Sequence, residues 1–381
     1  VTGTNGKTTT AYITSILLSR LGYKTAFLGT IGNGSPFELK PSINTTESAV
    51  HIYKNLDKFY KEGYEYVSME VSSHGISLNR IQGIEFYSVI FTNLTHDHLN
   101  FHKTFENYEK EKFRLFTEFK SLNKIINASN EIGISWLKKL PEAISYMVNP
   151  SITRNNFITA KVLAKSMLSQ ELLIKLRSNS FNIKTNLIGS FNIENLLASL
   201  SCIALIEKDI VKLQNLDFTF INIPGRMELY KAENTPLYII DYAHTPDGID
   251  KILKTLKENL KESLESKLVV LFGFGGGRDI STRSEIVKLI FQYADKVIYT
   301  IDNPRFEPLD EIFSSAFKDV NPELLSKVQI IFNRSNAILI TSKQFTLNDT
   351  IAVLGKGAEK FQEVMGVRYH YMDKEEVKKV I

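Results

Sequence analysis

The chain is poor in the groups that staple or anchor a protein. Its single cysteine, Cys202, excludes an internal disulfide framework. That thiol sits in the apolar run 196–206 and reads as a buried core group. No apolar run approaches the roughly 18 residues of a membrane span, and no secretory leader pattern opens the chain. Membrane insertion is therefore not expected, and the expected location is the cytoplasm. Charge of one sign is also scarce, with a formal net charge of only +4. The lysines between positions 251 and 267 are spread as on a solvated helix face rather than gathered into a stripe, so no nucleic-acid partner is expected. Internal repeats and low-complexity tracts are missing too. A starting Met is absent, and only Val1 precedes a glycine-rich turn of a kind that ordinarily follows a buried strand. On that ground the chain is expected to be a fragment or trimmed at its start.

What is present is a long chain of ordinary globular composition. Its 381 residues are 43% hydrophobic and 23% charged, enough for more than one domain. Short β-branched runs alternate with longer helical patterns, which predicts α/β architecture with parallel sheets. Strands are expected at 25–28, 66–71, 88–92 and 124–127, and helices at 8–21, closed by Gly22, and at 105–119. The stretch 152–187 is poor in helix signals and reads as a small β excursion. After Pro224-Gly225 a second series begins, with strands at 237–242, 268–272, 296–301, 328–332 and 350–354 and helices at 247–264 and 283–293. Two domains follow, 1–222 and 223–381.

The chemistry-bearing segments lie after strands. Thr2-Gly-Thr-Asn-Gly-Lys-Thr-Thr9 places Gly3, Thr4, Asn5 and Gly6 before a helix start. Such a turn aims backbone N–H groups and the helix end at one anion. Lys7 is then placed for β/γ-phosphates, and the Thr8 hydroxyl for Mg²⁺. The full phosphate-loop pattern asks for glycine where Val1 stands. Glu70, in Met69-Glu-Val-Ser-Ser-His74, follows a buried-looking strand; read alone it is equally a Mg²⁺ ligand or half of a structural ion pair. Thr92-Asn-Leu-Thr-His-Asp-His-Leu-Asn-Phe-His102 carries His98, either a ligand of a second metal or part of a histidine-rich surface loop. Zinc lacks a supporting cysteine or second ligand cluster. Three loops of the second half, Gly273–Asp279, Asp302-Asn-Pro-Arg305 and Gly355-Lys-Gly-Ala-Glu359, are expected on one carboxyl edge of a sheet. Arg305 suits a carboxylate held bidentately, or is an ordinary solvated turn residue. Lys112, on its own, is one charge on a helix.

In this order the motifs resemble the Mur ligases of peptidoglycan synthesis, most closely the diaminopimelate-adding (MurE) type, over essentially the whole chain. The likeness runs through 2–9, Asn44-Thr-Thr-Glu-Ser48, 69–75, 92–102, 108–116, Gly189-Ser-Phe-Asn-Ile-Glu-Asn195, Gly225-Arg-Met-Glu228, Asp241-Tyr-Ala-His-Thr-Pro-Asp247 and the three C-terminal loops. The resemblance implies a phosphate-loop ATPase domain followed by a Rossmann-like domain that binds the incoming amino acid. It implies ATP and Mg²⁺ as cofactors, with UDP-N-acetylmuramoyl dipeptide and meso-diaminopimelate as substrates, and a monomer is expected.

By the same resemblance, Gly3–Thr9 hold the phosphates, and Thr8, Glu70, His98 and Lys112 form the metal set, Lys112 matching a carbamylated lysine. Lys7, Lys112, His98 and Glu70 are thereby implied in catalysis. Asn192, Asn195, Arg226 and Asp241 match nucleotide contacts. Thr45, Thr46, Ser72 and Arg80 match the muropeptide site. Arg278, Asp302, Asn303, Arg305, Gly355 and Glu359 match the amino-acid site, with Arg305 expected to hold the distal carboxylate that lysine lacks. Leu78, Gly277 and Ala358 depart from the family's usual Gln, Asp and His. The family's uridine-nucleotide domain is not within the sequence. A lysine-adding ligase, a folylpolyglutamate synthase and a non-catalytic remnant are the competing expectations. Asp302-Asn-Pro-Arg305 argues against the first, and 44–48 against the second.

Overall fold

The structure, a computed structural model, describes residues 1–150, 157–260, 266–277 and 280–381. Arg278, expected in the amino-acid site, and the end of the helix expected at 247–264 therefore lie outside the described residues, as does the start of the expected β excursion. The chain divides into two compact units, Val1–Ile221 and Asn222–Ile381.

The first unit runs α1 (Lys7–Arg20), β1 (Thr25–Gly29), β2 (Gly32–Ser35), β3 (Glu38–Lys40), α2 (Ala49–Lys61), β4 (Tyr66–Met69), α3 (Ser73–Ser77) and β5 (Phe86–Phe91). It continues through α4 (Leu99–His102), α5 (Phe105–Thr117), β6 (Ser121–Asn127), α6 (Glu131–Lys139), β7 (Ile144–Val148), β8 (Ile158–Lys165), β9 (Gln170–Leu176), β10 (Asn179–Thr185), α7 (Ser190–Ile206) and α8 (Ile210–Gln214). One sheet has the order β3-β2-β1-β4 and another β10-β9-β8-β7-β6-β5. The strands β5 to β8 pair in parallel, as do β1 and β4.

Two sequence expectations are corrected here. The unit is not a purely parallel sheet, because β2–β3 and β9–β10 add antiparallel hairpins at the outer edges. Hairpins need only short turns, whereas parallel neighbours need a crossover. Nor does the opening turn lack a base. Val71 N donates to Val1 O and Thr2 N to Ile90 O, each at 2.8 Å, and Thr92 N donates to Thr2 O at 3.0 Å. Val1 and Thr2 thus lie between the ends of β4 and β5 as the last residues of a strand would.

Helices α1 and α7 pack together and are buried on nearly every side, the pattern of a central helix rather than a surface one. Helix α5 shows the opposite case. Thr104 caps it, accepting from Asn107 N. It then buries only the stripe Tyr108, Lys112, Leu115 and Phe116, the positions that share one helix face. That stripe joins the core around Phe91 and Trp136.

The second unit runs β11 (Glu228–Tyr230), β12 (Leu237–Asp241), α9 (Pro246–Leu260), β13 (Leu268–Phe272), α10 (Arg283–Tyr293), β14 (Lys296–Tyr299), α11 (Leu309–Phe317) and β15 (Val328–Ile330). It ends with α12 (Arg334–Gln344), β16 (Thr350–Leu354), β17 (Phe361–Val364), β18 (Val367–His370) and α13 (Asp373–Lys378). Its main sheet has the order β11-β12-β16-β13-β14-β15. All pairs are parallel except the β11 edge. Strands β12, β13 and β16 are buried at every residue, as expected of strands covered on both faces. The loops after β12, β13, β14 and β16 consequently leave from one sheet edge.

Candidate functional sites

In the first unit the turn 2–6 is shaped by steric necessity. Gly3 has φ 150° and Gly6 φ 83°. A Cβ on Gly3 would lie 1.9 Å from Thr92 Oγ1, and one on Gly6 2.3 Å from Asn195 Oδ1. The turn is then tied to the segment after β5. Thr4 N donates to Asn93 O at 2.8 Å, Asn5 N to Asn93 Oδ1 at 3.0 Å, and Thr92 Oγ1 to Asn5 O at 2.6 Å. Lys7 Nζ folds back over the turn onto the carbonyls of Gly3 (3.0 Å) and Thr4 (2.8 Å).

Glu70, only 1% exposed, stands beside the helix start. Its Oε2 accepts from Thr8 Oγ1 at 2.8 Å, and its Oε1 from Thr30 N at 2.7 Å. Among the described residues no salt bridge to Glu70 is found, so the ion-pair alternative finds no support. The segment 44–48 meets the same place. Thr30 Oγ1 donates to Thr45 Oγ1 at 2.9 Å, Thr46 Oγ1 to Glu70 O at 3.0 Å, Ser72 N to Thr46 Oγ1 at 2.9 Å, and Arg80 Nη1 to Thr46 O at 2.7 Å. Thr46, Ser72 and Arg80 are thus tied together at the Glu70 backbone, and Thr45 is linked to the Glu70 carboxylate through Thr30. Thr9 is buried in α1.

Lys112 overturns its bottom-up reading as one more helix charge. It is 1% exposed, and its Nζ donates to Gly3 O at 2.9 Å. Burial, and then the Lys7 ammonium, push this amine well below the ordinary lysine range, because taking a charge out of water beside another cation favours the neutral form. A lysine occupying one position of an apolar α5 stripe was the sequence signal that could have exposed it.

His98 begins the short α4 with φ 54°. Its ring lies 5.0 Å from that of His74, and its Nε2 3.4 Å from Asp97 Oδ2. His102 pairs through Nε2 with Ser73 Oγ at 2.9 Å and is pushed down to about 4, by burial first and then by His74 and Lys112. Among the described residues no group of three or more His, Cys, Asp or Glu is placed to hold a metal ion.

Asn192 and Asn195 are buried. Asn195 Oδ1 accepts from Thr10 Oγ1 at 3.1 Å, and Asn192 Nδ2 donates to Ile188 O at 3.0 Å. Asn195 thus fastens α7 to α1, while Asn192 bonds the segment leading into its own helix.

In the second unit Asp241, at the end of β12, accepts from Met227 N and Ala243 N, both at 2.7 Å. It thereby shapes the turn on which the Arg226 guanidinium lies 4.5 Å over the Tyr242 ring. Gly355, with φ 106°, passes close to Asp302, whose Oδ2 would meet a Cβ there at 2.8 Å. Asn303 Nδ2 donates to Glu359 Oε2 at 2.8 Å. Arg305, with φ 52°, donates from Nη1 to Gly276 O at 2.5 Å. Asp302, Asn303, Arg305, Gly355 and Glu359 are therefore gathered at one sheet edge, as expected.

Three buried ion-pair residues there escaped the sequence reading. Lys356 is fully buried beside Asp302, Asn303 and Glu359. Arg283 pairs with Glu307 at 2.6 Å, and Arg334 with Asp373 at 2.7 Å. Of the departures, Leu78 is exposed, whereas Gly225 packs on the backbone of Ala358.

This architecture defines an α/β protein with mixed sheets and a Rossmann-like second unit, each unit carrying polar side chains at the carboxyl ends of its parallel strands. The family model of the Mur ligase middle domain matches residues 1–203, and that of the Mur ligase, glutamate ligase domain matches 225–357. The chain belongs to the Mur ligase family. It is 37% identical over 380 residues to the UDP-N-acetylmuramoyl-L-alanyl-D-glutamate--2,6-diaminopimelate ligase of Haemophilus influenzae (strain 86-028NP), covering 98% of this chain and 76% of that one. The protein of that name from Aquifex aeolicus (strain VF5) is 35% identical over 384 residues, covering 100% and 76%. A solved structure of a UDP-N-acetylmuramoyl-L-alanyl-D-glutamate--2,6-diaminopimelate ligase matches with TM-score 0.68 and 31% identity, covering 100% of this chain and 77% of that one. The folylpolyglutamate synthase of Thermotoga maritima shares the fold at 17% identity and TM-score 0.65, over 93% of this chain and 84% of its own.

Proposed function

We propose that the chain is an ATP-dependent amide ligase that adds meso-diaminopimelate to UDP-N-acetylmuramoyl-L-alanyl-D-glutamate in peptidoglycan synthesis. The observation that carries this reading is the convergence of Glu70, Thr8, Lys7 and Lys112 on one glycine turn, in a chain 37% identical to a ligase of that name. A carboxylate resists attack by an amine because the attack adds negative charge to it. Phosphorylation by ATP converts it to an acyl phosphate, whose phosphate leaves when the amine attacks. The phosphoryl group in transfer carries spread negative charge, so fixed cations and N–H donors are the natural source of stabilisation. The turn 3–6 and the start of α1 bind the phosphates, and the Lys7 ammonium neutralises them.

The residues suit Mg²⁺. Thr8 and Glu70 offer oxygen atoms in direct contact, and Mg²⁺ ordinarily takes one or two protein carboxylates, with water and phosphate completing its shell. The ion supplies charge neutralisation at the phosphates. For the second ion, His98 and a carbamylated Lys112 are the proposed ligands. Carbamylation requires a neutral amine, the form that the burial of Lys112 favours. Thr45, Thr46, Ser72 and Arg80 orient the muropeptide. Asn192 and Asn195 are the proposed nucleotide contacts of the first unit, and Arg226 and Asp241 those of the second. Arg278, Asp302, Asn303, Gly355 and Glu359 bind the acceptor, and Arg305 holds its distal carboxylate.

The test is ATP turnover by the purified protein with the muropeptide, against a panel of diaminopimelate, lysine and no acceptor. Turnover is expected to require both the muropeptide and diaminopimelate; equal turnover without an acceptor sinks the reading. Arg305→Ala is expected to lower diaminopimelate kcat/KM by about 10- to 100-fold, the loss of a charge-assisted pair, with nucleotide binding retained. Unchanged diaminopimelate kinetics refute the role given to Arg305.

A further inference from the structure

Strands β17 and β18 form a two-stranded sheet of their own. They are joined by the two-residue turn Met365-Gly366, with φ 49° and 77°. Two left-handed residues in succession are the mark of a type I′ turn, whose twist suits a hairpin. Strand β18 is exposed along its length. A lone hairpin is marginal in water, so this one draws stability from what it is stitched to.

It is stitched to the segment after β14. Gln362 Nε2 donates to Asp302 O at 2.8 Å, and Glu363 N to Asn303 Oδ1 at 2.9 Å. Arg305 N donates to Glu363 O at 3.1 Å, and Met365 N donates to Arg305 O at 2.7 Å. Arg305 therefore faces Val364 as in a parallel ladder, with both its backbone groups engaged by the hairpin. That pairing matters because Arg305 has φ 52°. A residue with a side chain rarely keeps this left-handed conformation unless its surroundings over-determine it. In it the guanidinium reaches the loop after β13, where Nη1 donates to Gly276 O at 2.5 Å. One edge of the planar fork is thereby fixed, which sets the direction of the rest. The turn also meets the residue after Arg305, since a Cβ on Gly366 would lie 2.9 Å from Phe306 Cζ.

We propose that Gly366 is a positioning residue for acceptor discrimination: its turn holds the Arg305 backbone left-handed and so aims the guanidinium at the distal carboxylate that separates diaminopimelate from lysine. The inference rests on the reading of this sheet edge as the amino-acid site. It adds the element that makes Arg305 selective.

The test is a series at Gly366 in the purified protein, alone and combined with Arg305→Ala. It reads kcat/KM for diaminopimelate and for lysine, and KM for ATP. Gly366→Val cannot keep the left-handed turn without strain, because a β-branched residue is an outlier there. Gly366→Asn can, because asparagine tolerates that region. Both add the Cβ to which Phe306 must yield, and Phe306 is exposed, so the pair isolates the backbone effect. Gly366→Val is expected to lower diaminopimelate kcat/KM about tenfold or more, the scale for a group misplaced by about 1 Å. Lysine kcat/KM and ATP KM are expected to move less than about twofold. Gly366→Asn is expected to stay within about threefold of wild type. Because the turn acts through Arg305, adding Gly366→Val to Arg305→Ala is expected to cost diaminopimelate less than about twofold further. Three results overturn the proposal: diaminopimelate kcat/KM within about twofold of wild type in Gly366→Val, equal losses with diaminopimelate and lysine, or an undiminished loss in the Arg305→Ala background. Should Gly366→Val fail to fold, Gly366→Ala takes its place under the same criteria, and lysine turnover below detection leaves the cycle with Arg305→Ala to decide. A wild-type protein that prefers another amino acid overturns the diaminopimelate assignment alone, and the cycle is then read with that amino acid. A wild type indifferent to every amino acid overturns both.

Discussion

Gly29 closes β1 beside the Glu70 carboxylate, and replacing it by alanine tests how that carboxylate is held without removing it. A Cβ on Gly29 would lie 2.2 Å from Glu70 Oε1 and 2.6 Å from Phe27 Cζ. Phe27 is fully buried and packs edge-on against Tyr12 at 5.5 Å between centroids, so it cannot swing clear without opening the core. Glu70 must retract, which breaks the 2.7 Å bond from Thr30 N and strains the 2.8 Å bond from Thr8 Oγ1. One hydrogen bond to a charged group contributes about 1.5–3 kcal/mol, and overpacking a core adds about 1–3 kcal/mol. The expected destabilisation of the first unit is therefore about 2.5–6 kcal/mol, the sum of the two terms. For a unit of this size it corresponds to a fall in melting temperature of about 5–24 °C. Calorimetric melting measures the first effect. Titrating Mg²⁺ in the ATP-turnover assay measures the second, where the half-saturating concentration is expected to rise at least about tenfold, because a displaced carboxylate no longer keeps its position against the Thr8 hydroxyl. A melting temperature within about 3 °C of wild type, together with an unmoved Mg²⁺ titration, would refute both the steric argument and the place given to Glu70.

Two other perturbations address buried charge. Arg334→Met leaves the fully buried Asp373 carboxylate without its bidentate partner, whose bonds measure 2.7 and 2.9 Å, and is expected to destabilise the second unit by about 3–5 kcal/mol. The double variant Arg334→Met with Asp373→Leu is expected to regain most of that in denaturant unfolding, and a single variant costing under about 1 kcal/mol contradicts the account. His102 titrates near 4 when folded against 6.5 ordinarily, so the unfolded chain binds more protons between those values. Its contribution is present above pH 6.5 and is lost as pH falls towards about 4. His102→Gln, which can still bond to Ser73, is expected to flatten the melting temperature over that window; identical acid limbs in variant and wild type exclude the assignment.

Most of the frame was legible in the sequence because it is written in local patterns. Leu268–Phe272 and Thr350–Leu354 are uninterrupted apolar runs, and the structure has strands there with those bounds. The β excursion was legible from the lack of helix signals, and its strands β8–β10 are antiparallel. The gathering of Asp302, Arg305 and Gly355 followed from each loop leaving a strand of one parallel sheet. What misled was charge. Lys112 and Lys356 look like surface residues in a sequence, since lysine is seldom buried. The period of the α5 stripe and the flanking glycines of Lys356 were the only signs to the contrary.

The sequence by itself determined which segments become strand, helix and turn, and which residue types stand at the strand ends, since backbone propensity and apolar period act over a few neighbours. Only the tertiary structure decided which charges lose water and what they then meet. Lys112 finds Gly3 across 109 positions, Lys356 finds Asn303 across 53, and Glu70 finds Thr8 across 62. The strength of those contacts comes from desolvation and near-contact geometry, and no local window of residues contains either.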